Sequence, residues 1–531
     1  MFKGACVMVA MATQLLWIHP VWAESLKFDI TAFTVEGNTL LSERKIQNAL
    51  AAFKGSGREM ADVNRAADAL RALYQQAGYN VVQVVAPVQT MTAGRVLLKV
   101  IEDKIATIEV GGNAAYSAEN IRASLPVLQA GKSINANRLE AEIALANENS
   151  AKQVAVNIQP GAQLGELNTR IDVSESRVTK FMATLDNTGS AATGYAKLGF
   201  AYQHANLWDR DHALTVQYNG SPELPDKIGS ISVGYHIPYY QYGWSLDLLA
   251  AYSSSSTQNG TSYFAGKGTV LGARANYALT SVRDLRHKVI VGVDYKESKN
   301  NFAGCVAPCA SVTEQPLSLT YYAQITRPEF QGNGSLSLVS NLTGGSQNSF
   351  VNYQAARATV VGSNLVATPI WNAWRVNLGG GVSLPNDWQV RVMGNGQYSQ
   401  DLLIPAEQFG VGGALSVRGY PERAVSGDKG YTTNLELYTP DLNKYLPIPN
   451  DSLRALLFWD TARVTVNDQY PANFAAPPHM LSSIGLGLRV LHKKDVNIKF
   501  DLGWAQKQVL YLGSLTRKND VRGHIAISLV F

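Results

Sequence analysis

The sequence predicts a transmembrane β-barrel of about 16 antiparallel strands, preceded by two copies of a smaller α+β domain. Three observations lead to this fold class. The chain opens with a secretory signal, two early segments match each other at a fixed offset, and the rest of the chain alternates apolar with polar residues. The net charge of +5 and the mean hydropathy of -0.08 exclude neither a barrel nor a soluble multidomain protein, so these local patterns decide.

The N-terminal segment, residues 1–23, has the pattern of a signal peptide. Lys3 stands near its start, an apolar run extends from Ala5 to Ile18, and Ala23 closes a small-residue cleavage site. The apolar run is too short to span a membrane as a helix. Since no later stretch of 18 apolar residues occurs, the sequence excludes a helical membrane protein and leaves a secreted protein or a barrel.

The cysteines agree with an exported chain. Cys6 leaves with the signal peptide, which leaves Cys305 and Cys309 four residues apart with no histidine or acidic residue between them. This spacing favours a small loop disulfide over a metal site in an oxidising compartment, with free thiols as the alternative.

A repeat organises the region in front of the barrel. The pattern Val-x-Gly-Asn-x-x-x-Ser-x-x-x-Ile-x-x-x-Leu occurs at residues 35–50 and again at 110–125, an offset of 75 residues (110 - 35). Each copy predicts a strand, a Gly-Asn turn and a helix whose Ser42 or Ser117 can cap the free N–H groups. A second helix and two strands follow, so that a β-α-α-β-β unit occupies residues 27–103 and again 104–176.

Residues 177–531 predict the barrel. Apolar and polar side chains alternate there, and short turns alternate with long loops rich in Gly, Ser and Asn, which is the pattern of a transmembrane barrel. The last strand places Ile525 and Phe531 on one face, as expected of a lipid-facing stripe that ends in an interfacial aromatic residue. A soluble β-sandwich is the alternative, because alternation alone does not distinguish lipid from a protein core.

One loop carries the most specific motif. Gly-Gly-Ala-Leu-Ser-Val-Arg-Gly-Tyr ends at Tyr420, on the sixth loop and between predicted strands 11 and 12. A cation in a narrow barrel interior needs a partner, and the planar guanidinium of Arg418 can grip a carboxylate in two places. Asp460 and Asp501 both qualify, because each alternates with apolar residues on a predicted strand.

This motif, together with the paired repeats, resembles the two-partner secretion transporters of the outer membrane. These are the haemolysin secretion/activation proteins of the BamA-like superfamily, and the repeats correspond to their POTRA domains. The resemblance covers nearly the whole mature chain. It implies a loop latch formed by Val417, Arg418, Gly419 and Tyr420, with Asp460 as the preferred partner in a Phe458-x-Asp460-x-Ala462 motif. Ala462 stands where the family has Gly, which puts the close backbone packing at that position in doubt.

The resemblance also implies a function. The POTRA-like domains would receive an unfolded exoprotein with an N-terminal export domain in the periplasm, and a monomeric barrel in outer-membrane lipid would conduct it outward. An extended chain can add to an exposed sheet edge. The edge candidates in the two repeats are Val81, Val82, Val84, Val85, Val154 and Val156.

Other functions find less support in the sequence. The histidines are scattered, and we find no zinc-protease, serine-hydrolase or phosphate-loop motif, so we expect no enzyme, no cofactor, no metal site and no nucleic-acid partner. An insertase that folds other barrels is the alternative within the same superfamily. A passive porin would leave the periplasmic repeats unexplained.

Overall fold

The computed structural model describes residues 27–190, 193–225, 228–254, 257–259, 262–264, 267–299, 311–345, 347–357, 367–445, 451–467, 479–511 and 514–531. The predicted signal peptide and the predicted Cys305–Cys309 disulfide lie outside these residues. The chain divides into two compact units, one formed by residues up to 104 with 163–165 and the other by 105–162 with 166–531.

The first unit is an α+β domain. Its elements are β1 (Phe28–Ile30), β2 (Ala32–Glu36), α1 (Glu43–Leu50), β3 (Gly55–Arg58), α2 (Met60–Gln76), β4 (Val82–Val85) and β5 (Arg95–Glu102). The sheet has the order β2-β5-β4, in which β2 runs parallel and β4 antiparallel to β5. The predicted β-α-α-β-β order is therefore correct, and a small β1–β3 pair is added to it.

The Gly-Asn turn of the repeat has a steric reason. Gly37 has φ +85°, and a Cβ there would lie 2.1 Å from the carbonyl oxygen of Val100. Gly112, at the same place in the second repeat, also has φ +85°, and its Cβ would lie 2.3 Å from the carbonyl oxygen of Val173. Only glycine fits so close an approach at a left-handed position, which is why the repeat retains it.

The second repeat starts the second unit and has the same order of elements. They are β6 (Lys104–Gly111), α3 (Ala118–Ala123), α4 (Ala136–Ala146), β7 (Lys152–Pro160) and β8 (Glu166–Glu175), with the sheet order β6-β8-β7.

The two predicted helix caps differ. The Ser117 side chain accepts a 3.0 Å hydrogen bond from the N–H of Asn120, as predicted. The prediction for Ser42 is wrong, because its side chain makes no capping bond. The N–H of Lys45, the usual target of such a cap, donates to the backbone oxygen of Ser42 at 3.0 Å instead.

The barrel closes through antiparallel pairing of its last strand with its first, from Ala526–Asp186 to Val530–Met182. Its 16 strands confirm the predicted fold class. Barrel strands 1 to 16 are Thr179–Asp186, Lys197–Leu207, His212–Gly220, Gly229–Tyr239, Trp244–Ser253, Lys267–Ala278, Leu285–Lys299, Ser311–Glu314 continued by Pro316–Thr326, Phe330–Asn341, Asn372–Ser383, Gln389–Tyr398, Lys429–Tyr438, Asp451–Thr465, His479–His492, Val496–Ala505 and Val521–Val530.

Alternation along a strand separates the barrel interior from the outer face. On strand 13, Leu457 and Trp459 are 55% and 46% exposed, whereas Phe458 and Asp460 between them are 4% and 0% exposed. Apolar side chains thus point outward, and inward side chains are covered. None of the helices in the described part of the chain is long and apolar enough to cross a membrane.

Candidate functional site: a loop held inside the barrel

The connection between strands 11 and 12, residues 399–428, folds into the barrel interior, and we call it the lumen loop. Within it Phe409–Val411 pairs with Val425–Gly427 to form a short hairpin. Apolar side chains of the loop form a buried cluster with inward-facing residues of strands 13 to 15. The members include Val411, Val417, Tyr420, Val425, Ala462, Val464, Leu481 and Ala505.

Arg418 holds the tip of the lumen loop. Its Nε and Nη2 donate to the two carboxylate oxygens of Asp460, each at 2.8 Å, and its backbone N–H donates to the same carboxylate at 3.1 Å. Its Nη1 donates to Glu436 on strand 12 at 2.7 Å. The guanidinium carbon lies 3.5 Å from the centre of the Phe458 ring. Arg418 is 3% exposed, so these contacts replace water.

The structure separates the two predicted partners of Arg418. Asp460 takes the bidentate bond, whereas the nearest oxygen of Asp501 is 3.5 Å from Nη1 of Arg418. Asp501 is instead gripped by Arg489 on strand 14, at 2.8 and 3.0 Å. Asp501 therefore belongs to the same charge cluster but as a second neighbour of the arginine.

Gly419 allows the tip to approach the barrel wall. It has φ +89°, and its N–H donates to Nε2 of His524 on strand 16 at 3.2 Å. On strand 15, a Cβ added to Gly503 would lie 2.7 Å from the backbone nitrogen of Gly419. Both glycines are thus needed for this contact, one for its conformation and one for its lack of a side chain.

Tyr420 extends the contact to the ends of two further strands. Its hydroxyl lies 3.0 Å from the backbone oxygen of Ser482 and 2.8 Å from that of Lys507. Ala462 is fully buried in the apolar cluster beside Val417 and Tyr420. The methyl group that replaces the family's glycine therefore packs against the loop and does not disturb the pair of Arg418 with Asp460.

Two residues of strand 12 that the sequence did not single out also belong to this site. Glu436 is the third acidic group around Arg418, and Nδ2 of Asn434 donates to Asp460 at 2.8 Å. Thr432, Asn434 and Glu436 alternate with exposed Leu435 on this strand, so the alternation contained the signal.

The predicted edge residues fall on two outer strands. Val82, Val84 and Val85 form most of β4, and Val81 directly precedes it. Val154 and Val156 lie on β7, which has only β8 as a neighbour among the described strands.

A second buried ion pair lies in the second unit, between the second repeat and the barrel. Lys152 at the start of β7 pairs with Asp211, which lies in the turn between strands 2 and 3, and their side chains are 0% and 1% exposed. The hydroxyl of Tyr240 donates to Asp211 at 2.6 Å, and the Lys152 amine lies 5.2 Å from the ring centre of Tyr116. Burial lowers the pKa of Lys152, and the carboxylate of Asp211 opposes that shift.

Within the described residues, no three His, Cys, Asp or Glu side chains are grouped so that they could hold a metal ion.

Comparison with known proteins finds a matching family and several relatives of this chain. Residues 165–490 match the family described as haemolysin secretion/activation protein ShlB/FhaC/HecB, and residues 28–103 match the POTRA domain of ShlB type. The heme/hemopexin transporter protein HuxB of Haemophilus influenzae is 21% identical over 493 residues, which cover 88% of this chain and 82% of that protein. The hemolysin transporter protein HpmB of Proteus mirabilis is 24% identical over 435 residues, covering 78% and 73%. The solved structure of CdiB from Escherichia coli matches with a TM-score of 0.74 at 17% identity, covering 97% of this chain and 93% of that one.

Proposed function

This chain belongs to the haemolysin secretion/activation protein family ShlB/FhaC/HecB, and we propose that it captures one unfolded exoprotein in the periplasm and passes it through the barrel to the cell surface. The barrel lies in the outer membrane and the POTRA domains lie in the periplasm. Family members secrete exoproteins, so an exoprotein partner is established in general terms. Its identity, and the presence of an N-terminal export domain in it, are part of the proposal.

The lumen loop carries the proposal. Its tip is held by Arg418, which binds carboxylates on strands 12 and 13, and its apolar residues pack against strands 13 to 15. A polypeptide that crosses the barrel has to pass this loop. Export therefore requires the loop to leave its docked position and to return to it.

The capture step is assigned to the outer edge of β7. The side chain of Asn147 already occupies both backbone groups of Val154, at 2.7 and 3.1 Å, so this residue points its backbone away from β8. By the period of two, Val156 and Ile158 point the same way. No hydrogen bond to their backbone groups from another described residue occupies that edge. The edge of β4 is less suitable, because this strand has only four residues and Nη2 of Arg71 already donates to the backbone oxygen of Val84 at 3.1 Å.

A pair of variants at one position tests the capture step. Ile158→Pro removes the outward N–H, which an edge strand tolerates, whereas Ile158→Ala removes the side chain and keeps the N–H. We expect export to fall in the proline variant and to stay near normal in the alanine variant. Equal export by the two variants would show that the edge of β7 does not capture the exoprotein.

The chain is proposed to act as a monomer in outer-membrane lipid, because its own 16 strands close the barrel without a second chain. It is also proposed to act without catalysis, since the sequence has no Gly-x-x-x-x-Gly-Lys-[Ser/Thr] phosphate loop and the work consists of binding and loop movement.

The insertase alternative receives less support than secretion. The family match over residues 165–490 is to secretion proteins. BamA from Haemophilus ducreyi, solved without its POTRA domains 1–3, matches at 13% identity with a TM-score of 0.51, and this likeness concerns the fold alone.

Co-expression tests the function as a whole. Candidate exoproteins encoded beside this chain are expressed with it or without it, and their appearance outside the cell is measured. We expect one such protein to appear outside only when the chain is present. If none appears while outer-membrane barrels assemble poorly without the chain, the insertase alternative holds instead.

A further inference from the structure

The lumen loop is held at its base as well as at its tip. Glu407 of the loop, 4% exposed, accepts a 2.6 Å hydrogen bond from Lys296 on strand 7 and another of 2.6 Å from Arg375 on strand 10. Its backbone oxygen accepts from Nε2 of Gln397 at 2.9 Å. The loop therefore contributes one carboxylate to two cations that belong to the barrel wall.

A second carboxyl group stands beside this cluster and belongs to the wall. Glu314 is 2% exposed, and its Oε1 makes no hydrogen bond with any described residue. In the strand register Glu314 lies directly opposite Lys296. Its charged neighbours are Glu407, Lys296 and Arg375. Two cations thus face two carboxyl groups, and the loop's carboxylate takes both of the hydrogen-bonded contacts.

We propose that Glu314 is a positioning residue that exchanges with Glu407 as the partner of Lys296 and Arg375. While the loop is docked, Glu407 takes the hydrogen bonds of both cations, and the carboxyl group of Glu314 interacts with that of Glu407. When the loop leaves, Glu407 leaves with it, and the cations turn to Glu314, which stays on the wall. This inference rests on the proposed function, in which the loop undocks to open the channel.

Charge burial gives the physical reason for the exchange. Withdrawing Glu407 from two cations in a narrow interior would leave them unpaired, which is costly. A carboxylate already placed across from Lys296 removes most of that cost without any movement of the backbone. Glu314 thereby makes the docked and undocked states more nearly equal in free energy, and this is what a channel that alternates between them needs.

Single-channel recording of the purified full-length protein in planar lipid bilayers tests the exchange. Glu314→Gln should lower the fraction of time spent open by roughly tenfold, because the undocked state loses its charge partner. Glu407→Gln should raise that fraction, because Glu314 serves the cations in both states. The matched control is Glu297→Gln, an acidic neighbour of Lys296 on the same strand that contacts Lys299 at 3.4 Å, and it should change neither value. The mobility of unheated samples in gel electrophoresis verifies that each variant forms the folded barrel.

Arg418→Ala is included to separate the two proposals, since it releases the tip. If Arg418→Ala raises the open fraction while Glu314→Gln leaves it unchanged or raises it, the proposed exchange of Glu314 with Glu407 is wrong. The proposal that the loop moves is then still supported. If Arg418→Ala leaves the open fraction unchanged, the moving loop is wrong and the exchange is overturned with it. A lowered open fraction in Glu314→Gln that also persists in the Arg418→Ala background supports both.

Discussion

Among the described residues, Arg418 with its acidic partners and Lys152 with Asp211 form buried ion pairs, and the two sites are built differently. At the loop tip, Arg418 is bound by the two oxygens of Asp460 and by Glu436, so that each of its three guanidinium nitrogens donates a hydrogen bond. At the second repeat, Lys152 binds the single carboxylate of Asp211 beside aromatic rings, and Oδ1 of Asp211 has no hydrogen-bond partner among the described residues.

The different number of hydrogen-bond donors and acceptors at the two sites indicates which ion pair can be broken and formed repeatedly. When Arg418 leaves, Asp460 keeps a bond from the amide of Asn434 and Glu436 keeps one from the hydroxyl of Tyr438. Asp501 remains bound by Arg489, so each carboxylate around the arginine still has a donor. When the Lys152 amine is removed, Asp211 keeps, among the described residues, only the Tyr240 hydroxyl on one of its oxygens, so breaking that pair leaves a buried carboxylate poorly satisfied. We therefore interpret the tip as a latch and the Lys152–Asp211 pair as a permanent joint.

The largest expected effect comes from the latch itself. Arg418→Ala should lower export roughly tenfold or more, because a loop that cannot dock cannot return the channel to its starting state. Barrel insertion should be unaffected. The measurement compares exoprotein outside the cell with folded barrel in the membrane. The matched control, Arg463→Ala, removes an exposed arginine from the outer face of the same strand. Normal export from the Arg418→Ala variant would contradict the interpretation of the loop tip as a latch.

A steric variant should release the same latch without changing a charge. Gly503→Ala places a methyl group within 2.7 Å of the nitrogen of Gly419, so we expect a raised open fraction in bilayer recordings and a smaller loss of export than in Arg418→Ala. Gly234→Ala is the matched control, because a Cβ there meets nothing within 4 Å. Equal behaviour of the two glycine variants would mean that the close approach of the tip is dispensable.

Breaking the Lys152–Asp211 pair should lower stability rather than change gating. Lys152→Met strands Asp211 and should destabilise the docking of the second repeat by about 3 kcal/mol. Adding Asp211→Asn, which suits the φ of +60° at this position, should recover most of that loss. Hydrogen exchange of α3 and β7 in the purified full-length protein measures both effects. Unchanged exchange in Lys152→Met, with export lost, would make this pair part of the gating instead.

The smallest expected effect is a pH dependence in the second repeat. Burial raises the pKa of Glu142 on α4 from its ordinary 4.5 to about 7, although its carboxylate accepts the N–H of Val127 at 2.8 Å. The folded state thus binds this proton more tightly than the unfolded state does. The stabilisation is full below pH 4.5 and is lost as the pH rises toward 7.

Glu142→Gln should remove that dependence. We expect the variant to be more stable than the parent at pH 8 by on the order of 1 kcal/mol and to show a flatter profile between pH 5 and 8. Calorimetry of the purified full-length protein, following the transition of the periplasmic region, measures this. A parallel pH profile in parent and variant would show that Glu142 is ionised throughout.

The alternation of the sequence predicts the barrel and two candidate partners of Arg418, and the resemblance to the transporter family implies the preference for Asp460. Alternation marks the inward side of strand 13, and a carboxylate at Asp460 on that side is a natural partner for an arginine of the loop. The same alternation places Glu436 on the inward side of strand 12. Alternation alone does not separate Asp460 from Asp501, because the bond of Arg489 to Asp501 is visible only in three dimensions.

Other contacts carry no periodic signal. Lys152 and Asp211 are separated by 59 residues, and no pattern shows which turn of the barrel meets β7. Glu314 and Glu407 lie on a strand end and a loop base without any motif. The β1–β3 pair was not predicted because strands of three and four residues are too short to show alternation.

The central claim is that the lumen loop must undock for export, and tethering the loop tests it most directly. Asn434 contacts the backbone of Ser416, so Ser416→Cys and Asn434→Cys place two thiols near each other, with Cys305 and Cys309 replaced by Ser. A short, cleavable thiol crosslinker then joins the loop to strand 12. We predict that crosslinked cells stop exporting the partner exoprotein and resume after cleavage. Export at the normal rate with the tether intact would contradict the account.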